Sequence, residues 1–88
     1  MEFNETLKEQ ILEIVQNQIQ SNQPPETKET LDRLKKTGYS DDDAKQLIGQ
    51  CLAVELYHVF SNQEEFNESR YIANLKNLPE QPFDDNEE

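Results

Sequence analysis

The sequence predicts an all-α protein, a compact four-helix array in which the third helix is central. Apolar residues recur every three or four positions in four separate segments, which is the spacing of one helix face. Pro and Gly residues fall between these segments, and no segment alternates apolar and polar residues as a strand would. We therefore expect helices at about residues 4–20, 24–37, 40–61 and 67–78.

The first two predicted helices each have one apolar side. The apolar side of the first helix contains Leu7, Ile11, Ile14, Val15 and Gln18. Pro24 and Pro25 begin the second helix, because proline fits the first turn, where its missing N–H has no helical acceptor to lose. The stripe of the second helix is narrow and consists of Thr27, Thr30, Leu31 and Leu34.

A short connection is expected between the second and third helices. Gly38 follows the last periodic residue of the second helix, as a C′ glycine in the left-handed conformation does. Ser40 is then a good N-cap for the third helix, and the acidic run 41–43 lies at the positive end of its dipole. Three adjacent carboxylates also suggest a cation site, but the spacing of a calcium-binding loop is missing.

The third helix changes character along its length. In its first half, polar Lys45, Gln46, Gly49 and Gln50 lie opposite an apolar face, whereas in its second half the opposite side becomes apolar as well. A helix that is apolar all round is buried all round, so neighbours should cover the second half on every side. The surplus apolar residues Leu56, Tyr57 and Phe60 are the predicted interface, covered by the first helix or by a second copy in a homodimer.

Glu55 and His58 project from the middle of the apolar face of the third helix, at a spacing that makes them neighbours. Buried ionisable groups are normally paired, so the leading interpretation is a hydrogen-bonded polar pair at an interface. The alternative is a metal site across a symmetric interface, because carboxylate-bridged metal bundles use the Glu-x-x-His pattern. The chain has one His, so it would have to oligomerise to complete such a site.

The second helix carries half of the cations in the chain, Lys28, Arg33, Lys35 and Lys36. A further alternative is therefore an adaptor that docks an acidic partner through this basic helix. A charge run of this kind is more often a solvated face.

The fourth helix has a clear beginning and end. Asn67 is a good N-cap, Phe66 and Tyr71 occupy the positions of a hydrophobic staple, and Pro79 terminates the apolar stripe. Residues 1–79 are expected to form a single helical domain. The acidic tail, residues 80–88, is expected to be disordered.

The net charge and the motifs exclude several functions. The formal net charge of -11 argues against binding to nucleic acid or to anionic membranes. The sequence contains neither a secretory signal nor a membrane-spanning run, and Cys51 fits a core thiol, so a reducing cytoplasm is expected. No catalytic residue or cofactor motif is evident. We expect no catalysis and no cofactor, but an interaction or structural module that self-associates as a homodimer.

The run from Gln16 to Pro79 resembles a group of small, uncharacterised bacterial helical proteins. Its marks are Pro24-Pro25, Arg33-Leu34, Gly38, Ala44, the apolar third helix, Phe66, Tyr71 and the segment from Leu75 to Pro79. The segment is similar to the C-terminal half of the family called domain of unknown function "eighteen forty-one". The resemblance implies a bacterial cytoplasmic protein of compact all-α fold and brings no activity. Members often carry His at positions matching Leu12 and Gln46, so a metal site there would be lost in this chain.

Overall fold

The computed structural model describes residues 5–81, and within them the all-α prediction is confirmed. The four helices are α1 (Glu5–Ser21), α2 (Pro25–Lys36), α3 (Asp41–Asn62) and α4 (Glu68–Asn77). The long helix α3 contacts each of the other three, and α2 also packs against α1 and α4. The predicted central position of the third helix is therefore confirmed.

Local capping determines where α3 and α4 begin. The side-chain oxygen of Ser40 accepts a hydrogen bond from the backbone N–H of Asp43 at 3.0 Å. Asn67 does the same for the N–H of Arg70, also at 3.0 Å. Each cap satisfies a donor in the first helical turn that has no acceptor within the helix. Both predicted N-caps are confirmed.

The turn after α2 depends on a positive backbone dihedral. Gly38 has a φ of +112°, a region that residues with a side chain rarely adopt. This conformation lets the N–H of Tyr39 return to the carbonyl of Leu34 at 3.1 Å, which closes the end of α2. Ser40 follows directly as the cap of α3, so the two helices are joined by a very short connection.

The predicted hydrophobic staple at the start of α4 is also confirmed. The rings of Phe66 and Tyr71 meet edge to face, with their centroids 5.6 Å apart. Tyr71 is buried while Phe66 is partly exposed, so this contact attaches the α3–α4 loop to the core.

One core runs between the four helices and uses the stripes expected for α2 and α4. Its members are Ile11, Val15, Leu31, Leu34, Ala44, Ile48, Cys51, Leu52, Tyr71, Leu75 and Leu78. Ile14 and Gly49 lie on sides of their helices other than those that the sequence predicts. Ile14, assigned to the inner side of α1, is exposed, and Gly49, assigned to the outer side of α3, is buried against Ile11 and Leu12 of α1. The missing side chain of Gly49 lets α1 approach α3 closely.

The expectation that neighbours cover the second half of α3 on every side is wrong within the single chain. Tyr57 and Phe60 are exposed, while Leu56 is half-buried against the core. The first helix was one of the two predicted covers, and 39 % of Tyr57 and 62 % of Phe60 remain exposed beside it. The physical reason is that the neighbouring helices pack against other faces of α3, where its buried residues lie. The side that contains positions 57 and 60 therefore points outward.

Most of the acidic tail, residues 82–88, lies outside the described residues, as does residue 4, where the first helix was expected to begin. The first two residues of the predicted tail, Glu80 and Gln81, are described and are exposed. Between residues 5 and 81, no helix has both the length and the apolar character needed to cross a lipid bilayer.

Candidate functional site

Glu55 lies at the centre of the fold with no exposed surface and forms an ion pair with Arg70. The Nε of Arg70 donates to Oε2 of Glu55 at 2.7 Å, and Nη2 donates to Oε1 at 3.0 Å. Both carboxylate oxygens therefore accept from one guanidinium, which is the paired geometry that a buried charge requires. The ion pair joins the middle of α3 to the first turn of α4.

His58 is buried one turn further along α3 and faces the α3–α4 loop. Its Nδ1 lies 3.0 Å from the amide nitrogen of Asn62 and 3.9 Å from a carboxylate oxygen of Glu64. Its ring also meets the ring of Tyr57 edge to face, at a centroid distance of 5.6 Å. His58 therefore contacts Tyr57 on α3 and lies near Glu64 of the α3–α4 loop.

Glu55 forms its ion pair with Arg70, a partner that sequence reasoning missed, while His58 lies beside Asn62 and Glu64. A signal for Arg70 existed, since it immediately precedes Tyr71 at the edge of the apolar stripe of α4. A metal ion at Glu55 would have to displace the guanidinium from both oxygens. Within residues 5–81, no three His, Cys, Asp or Glu side chains form a group that could hold a metal ion.

The basic residues of α2 are largely engaged within the chain. Arg33 donates to the carbonyl oxygens of Leu78 at 2.7 Å and Leu75 at 2.9 Å, at the end of α4. Lys28 pairs with Asp32, and Lys35 pairs with Asp41. Arg33 therefore caps the negative end of a neighbouring helix, a role for which sequence reasoning had no signal. Lys36 is exposed.

The acidic run at the start of α3 is likewise partly neutralised. Asp41 lies 2.9 Å from the Nζ of Lys45 and 3.4 Å from that of Lys35. The hydrogen bond from Lys45 lowers the pKa of the Asp41 carboxyl; desolvation acts in the opposite direction, and the hydrogen bond from Lys35 lowers the pKa further. The arrangement is a charge-paired helix N-terminus.

Hydrogen bonds between three polar side chains connect α1, α2 and α4. The carbonyl oxygen of the Gln18 side chain accepts from the hydroxyl of Tyr71 at 2.7 Å and from that of Thr27 at 2.8 Å. Burial raises the pKa of the Tyr71 hydroxyl to about 12, although its hydrogen bonds with Thr27 and Gln18 act in the opposite direction. The phenol is thus a structural donor.

Cys51 is buried in the core, as the sequence predicted. Burial, reinforced by the charge of Glu55, raises the pKa of its thiol to about 12. A thiol reacts as its thiolate, so this one is not a nucleophile near neutral pH.

A shallow groove of about 250 Å³ lies beside the first half of α3. It is lined by Tyr39, Asp43, Gln46, Leu47 and Gln50. The lining contains one carboxylate and no second titratable side chain that could act as its acid–base partner at neutral pH. It therefore suits a surface depression better than a catalytic cleft.

The two most exposed large apolar side chains of α3, Tyr57 and Phe60, lie on the side of the helix that points away from the core. Gln46 and Gln50 are exposed in the first half, and Tyr57 and Phe60 take their place in the second. The exposed fractions are 39 % for Tyr57 and 62 % for Phe60. We call these two residues the aromatic face of α3, and the half-buried Leu56 lies at its edge.

A scan against protein-family models found no matching family, and searches of curated proteins and of solved structures likewise returned no match. The resemblance to the family named above stays a prediction. The site must therefore be interpreted from its own geometry.

Proposed function

We propose that this protein is a non-catalytic protein-interaction module whose contact surface is the aromatic face of α3. The observation that carries the proposal is the exposure of two large aromatic side chains, Tyr57 and Phe60, on one side of a helix whose other sides contribute to the core. Tyr and other aromatic side chains are enriched where protein surfaces meet, because each buries a large apolar area at low entropic cost.

The ionisable groups of the interior support a structural role rather than a catalytic one. Glu55 is neutralised by Arg70, and burial holds Cys51 in its thiol form. The alternative of a metal site at Glu55 and His58 loses support, because both oxygens of Glu55 already accept from Arg70. The adaptor alternative loses support as well, since Lys28, Arg33 and Lys35 are engaged within the chain.

Site-specific photo-crosslinking tests the proposal. A benzoylphenylalanine placed at Tyr57 or Phe60, in cells that express the protein from its own gene, should yield a crosslinked protein adduct of discrete mass. The same probe at exposed Lys36 should not yield that adduct. With the probe at Phe60, a second change of Tyr57→Ser should weaken the adduct, because the two side chains lie on one side of the helix.

An adduct of twice the chain mass would indicate a second copy, the homodimer that the sequence predicts. An adduct of another mass would indicate a different protein. Either result supports an interaction module, whereas equal yield at Lys36, or no adduct at either aromatic position, overturns the proposal.

A further inference from the structure

We infer that the aromatic face of α3 binds a cationic amphipathic helical segment of another protein rather than a second copy of this chain. The inference rests on the proposed function and adds the chemistry of the partner. Two observations carry it, the charge around Tyr57 and Phe60 and the small area that these residues expose.

The surface that follows the aromatic face is acidic. The α3–α4 loop and the first turn of α4 contain Glu64, Glu65 and Glu68, all exposed. Glu64 lies 3.9 Å from Nδ1 of His58, and the ring of His58 meets that of Tyr57, so one of these carboxylates and the aromatic face share His58 as a neighbour.

No Lys or Arg side chain balances this charge along the same stretch. Residues 46–69 contain neither Lys nor Arg. The cations on either side are engaged, Lys45 with Asp41 and Arg70 with Glu55. A partner that carries positive charge beside its apolar residues would complement both features of this surface.

A second copy of this chain could cover Tyr57 and Phe60 with its own apolar residues, but its acidic residues would repel those of the first copy. In a two-fold dimer the same patch faces itself, so the acidic surfaces of the two copies would be brought close together. Each chain also carries a formal net charge of -11, which adds long-range repulsion between two copies. Charge alone therefore favours a partner of opposite sign.

The exposed area leads to the same conclusion. A large aromatic side chain buries about 150–250 Å² when it is covered, so Tyr57 and Phe60 provide roughly 200 Å² at their observed exposure. A stable interface between two globular proteins buries about 800 Å² on each partner. A dimer would have to obtain the remainder from polar and acidic surface. A short amphipathic helix needs only a few apolar anchors.

Peptide binding tests the inference. The probes are two helical peptides with the same leucine face, one with lysines and arginines on its polar face and the other with glutamates. The cationic peptide should bind the full chain at least tenfold more tightly than the anionic peptide. Its affinity should fall severalfold between about 50 and 500 mM salt, because exposed charges are screened within a Debye length.

Variants of exposed residues separate specific docking from general attraction. Phe60→Ser should weaken binding of the cationic peptide at least tenfold, whereas Ile14→Ser, which removes an exposed apolar side chain from α1, should change it less than twofold. The triple change Glu64→Gln, Glu65→Gln and Glu68→Gln should weaken it about tenfold. The matched control removes three charges from α1, through Glu5→Gln, Glu9→Gln and Glu13→Gln, all exposed, and should have a smaller effect.

Several results would overturn the inference while leaving the interaction function in place. Equal binding of the two peptides, no binding of either, or equal losses in both triple variants would show that the surface does not select positive charge. A dimer seen by light scattering and abolished by Phe60→Ser would identify a second copy as the occupant. If no crosslink formed from a probe at either Tyr57 or Phe60, the proposed function itself would be overturned.

Discussion

At the scale of single residues, Glu55 is a fully buried carboxylate whose charge is balanced by Arg70. Its position on the apolar face of the third helix indicated that the carboxylate would be buried, and it is. Its partner, Arg70, is fifteen residues away on another helix. A buried ion pair contributes little net stability compared with an apolar pair of the same shape, but each member depends strongly on the other.

We expect Arg70→Met to lower the free energy of unfolding by about 3–5 kcal/mol, because it leaves the Glu55 carboxylate buried without its guanidinium. The double variant Glu55→Leu and Arg70→Met should recover most of that loss. Urea unfolding followed by circular dichroism measures both effects.

The exposed pair of Lys28 and Asp32 is the matched control for the buried one. Its side chains are about half exposed, so Lys28→Met should cost at most about 1 kcal/mol. If Arg70→Met cost no more than Lys28→Met, the ion pair would not be a significant link between α3 and α4.

At the scale of single helices, the two glycines have opposite roles. Gly38 closes α2 at a φ of +112°, with open space around the position of a Cβ atom. Gly49 lies within α3, where an added Cβ would meet the Cγ2 of Ile11 at 3.4 Å and the Cδ2 of Leu12 at 3.7 Å. The first position is limited by backbone conformation and the second by packing.

We expect Gly38→Ala to destabilise the protein by about 1–2 kcal/mol, because an L residue is strained at that dihedral. Gly49→Ala should leave stability unchanged or raise it by up to about 1 kcal/mol, since alanine favours the helix and its Cβ would make ordinary contacts. Thermal and urea unfolding of the two variants give the comparison. A loss above about 1 kcal/mol for Gly49→Ala would show that α1 cannot accommodate a methyl group.

Helix beginnings were more predictable than helix surroundings. Ser40, Asn67 and Gly38 act through backbone groups within a few residues, so sequence alone indicates their roles. The capping of α4 by Arg33 acts across more than forty residues and could not be predicted from local pattern. The sequence indicated Leu56, Tyr57 and Phe60 as a surplus apolar side but left open whether α1 or a second copy covers it, because periodicity shows which sides of a helix are apolar but not which neighbours are present to cover them.

At the scale of the whole molecule, alkaline pH tests the core. The pKa of the Cys51 thiol is raised from an ordinary 9.0 to about 12, and that of the Tyr71 hydroxyl from 10.0 to about 12, both chiefly by burial. In the unfolded chain both groups release their protons near the ordinary values, while the folded chain retains them. The corresponding stability is present below pH 9 and is lost as the pH rises from 9 to 12.

We expect the free energy of unfolding to fall by about 1 kcal/mol between pH 9 and pH 10, where Cys51 contributes most of the loss, and more steeply above pH 10. Urea titrations at successive pH values measure this slope. Cys51→Ala lowers stability at every pH by creating a cavity, but it should flatten the slope between pH 9 and 10. An unchanged slope in this variant would mean that the thiol does not stay protonated in the folded core.

The sequence by itself determined the four helices, the N-caps of α3 and α4, the glycine turn after α2 and most of the inward residues, because these depend on periodicity and on backbone hydrogen bonds between near neighbours. Only the tertiary structure decided that Glu55 pairs with Arg70, that Arg33 caps α4, and that Tyr57 and Phe60 face solvent. Those outcomes depend on which helices lie side by side, and packing between distant segments leaves no periodic trace in the chain.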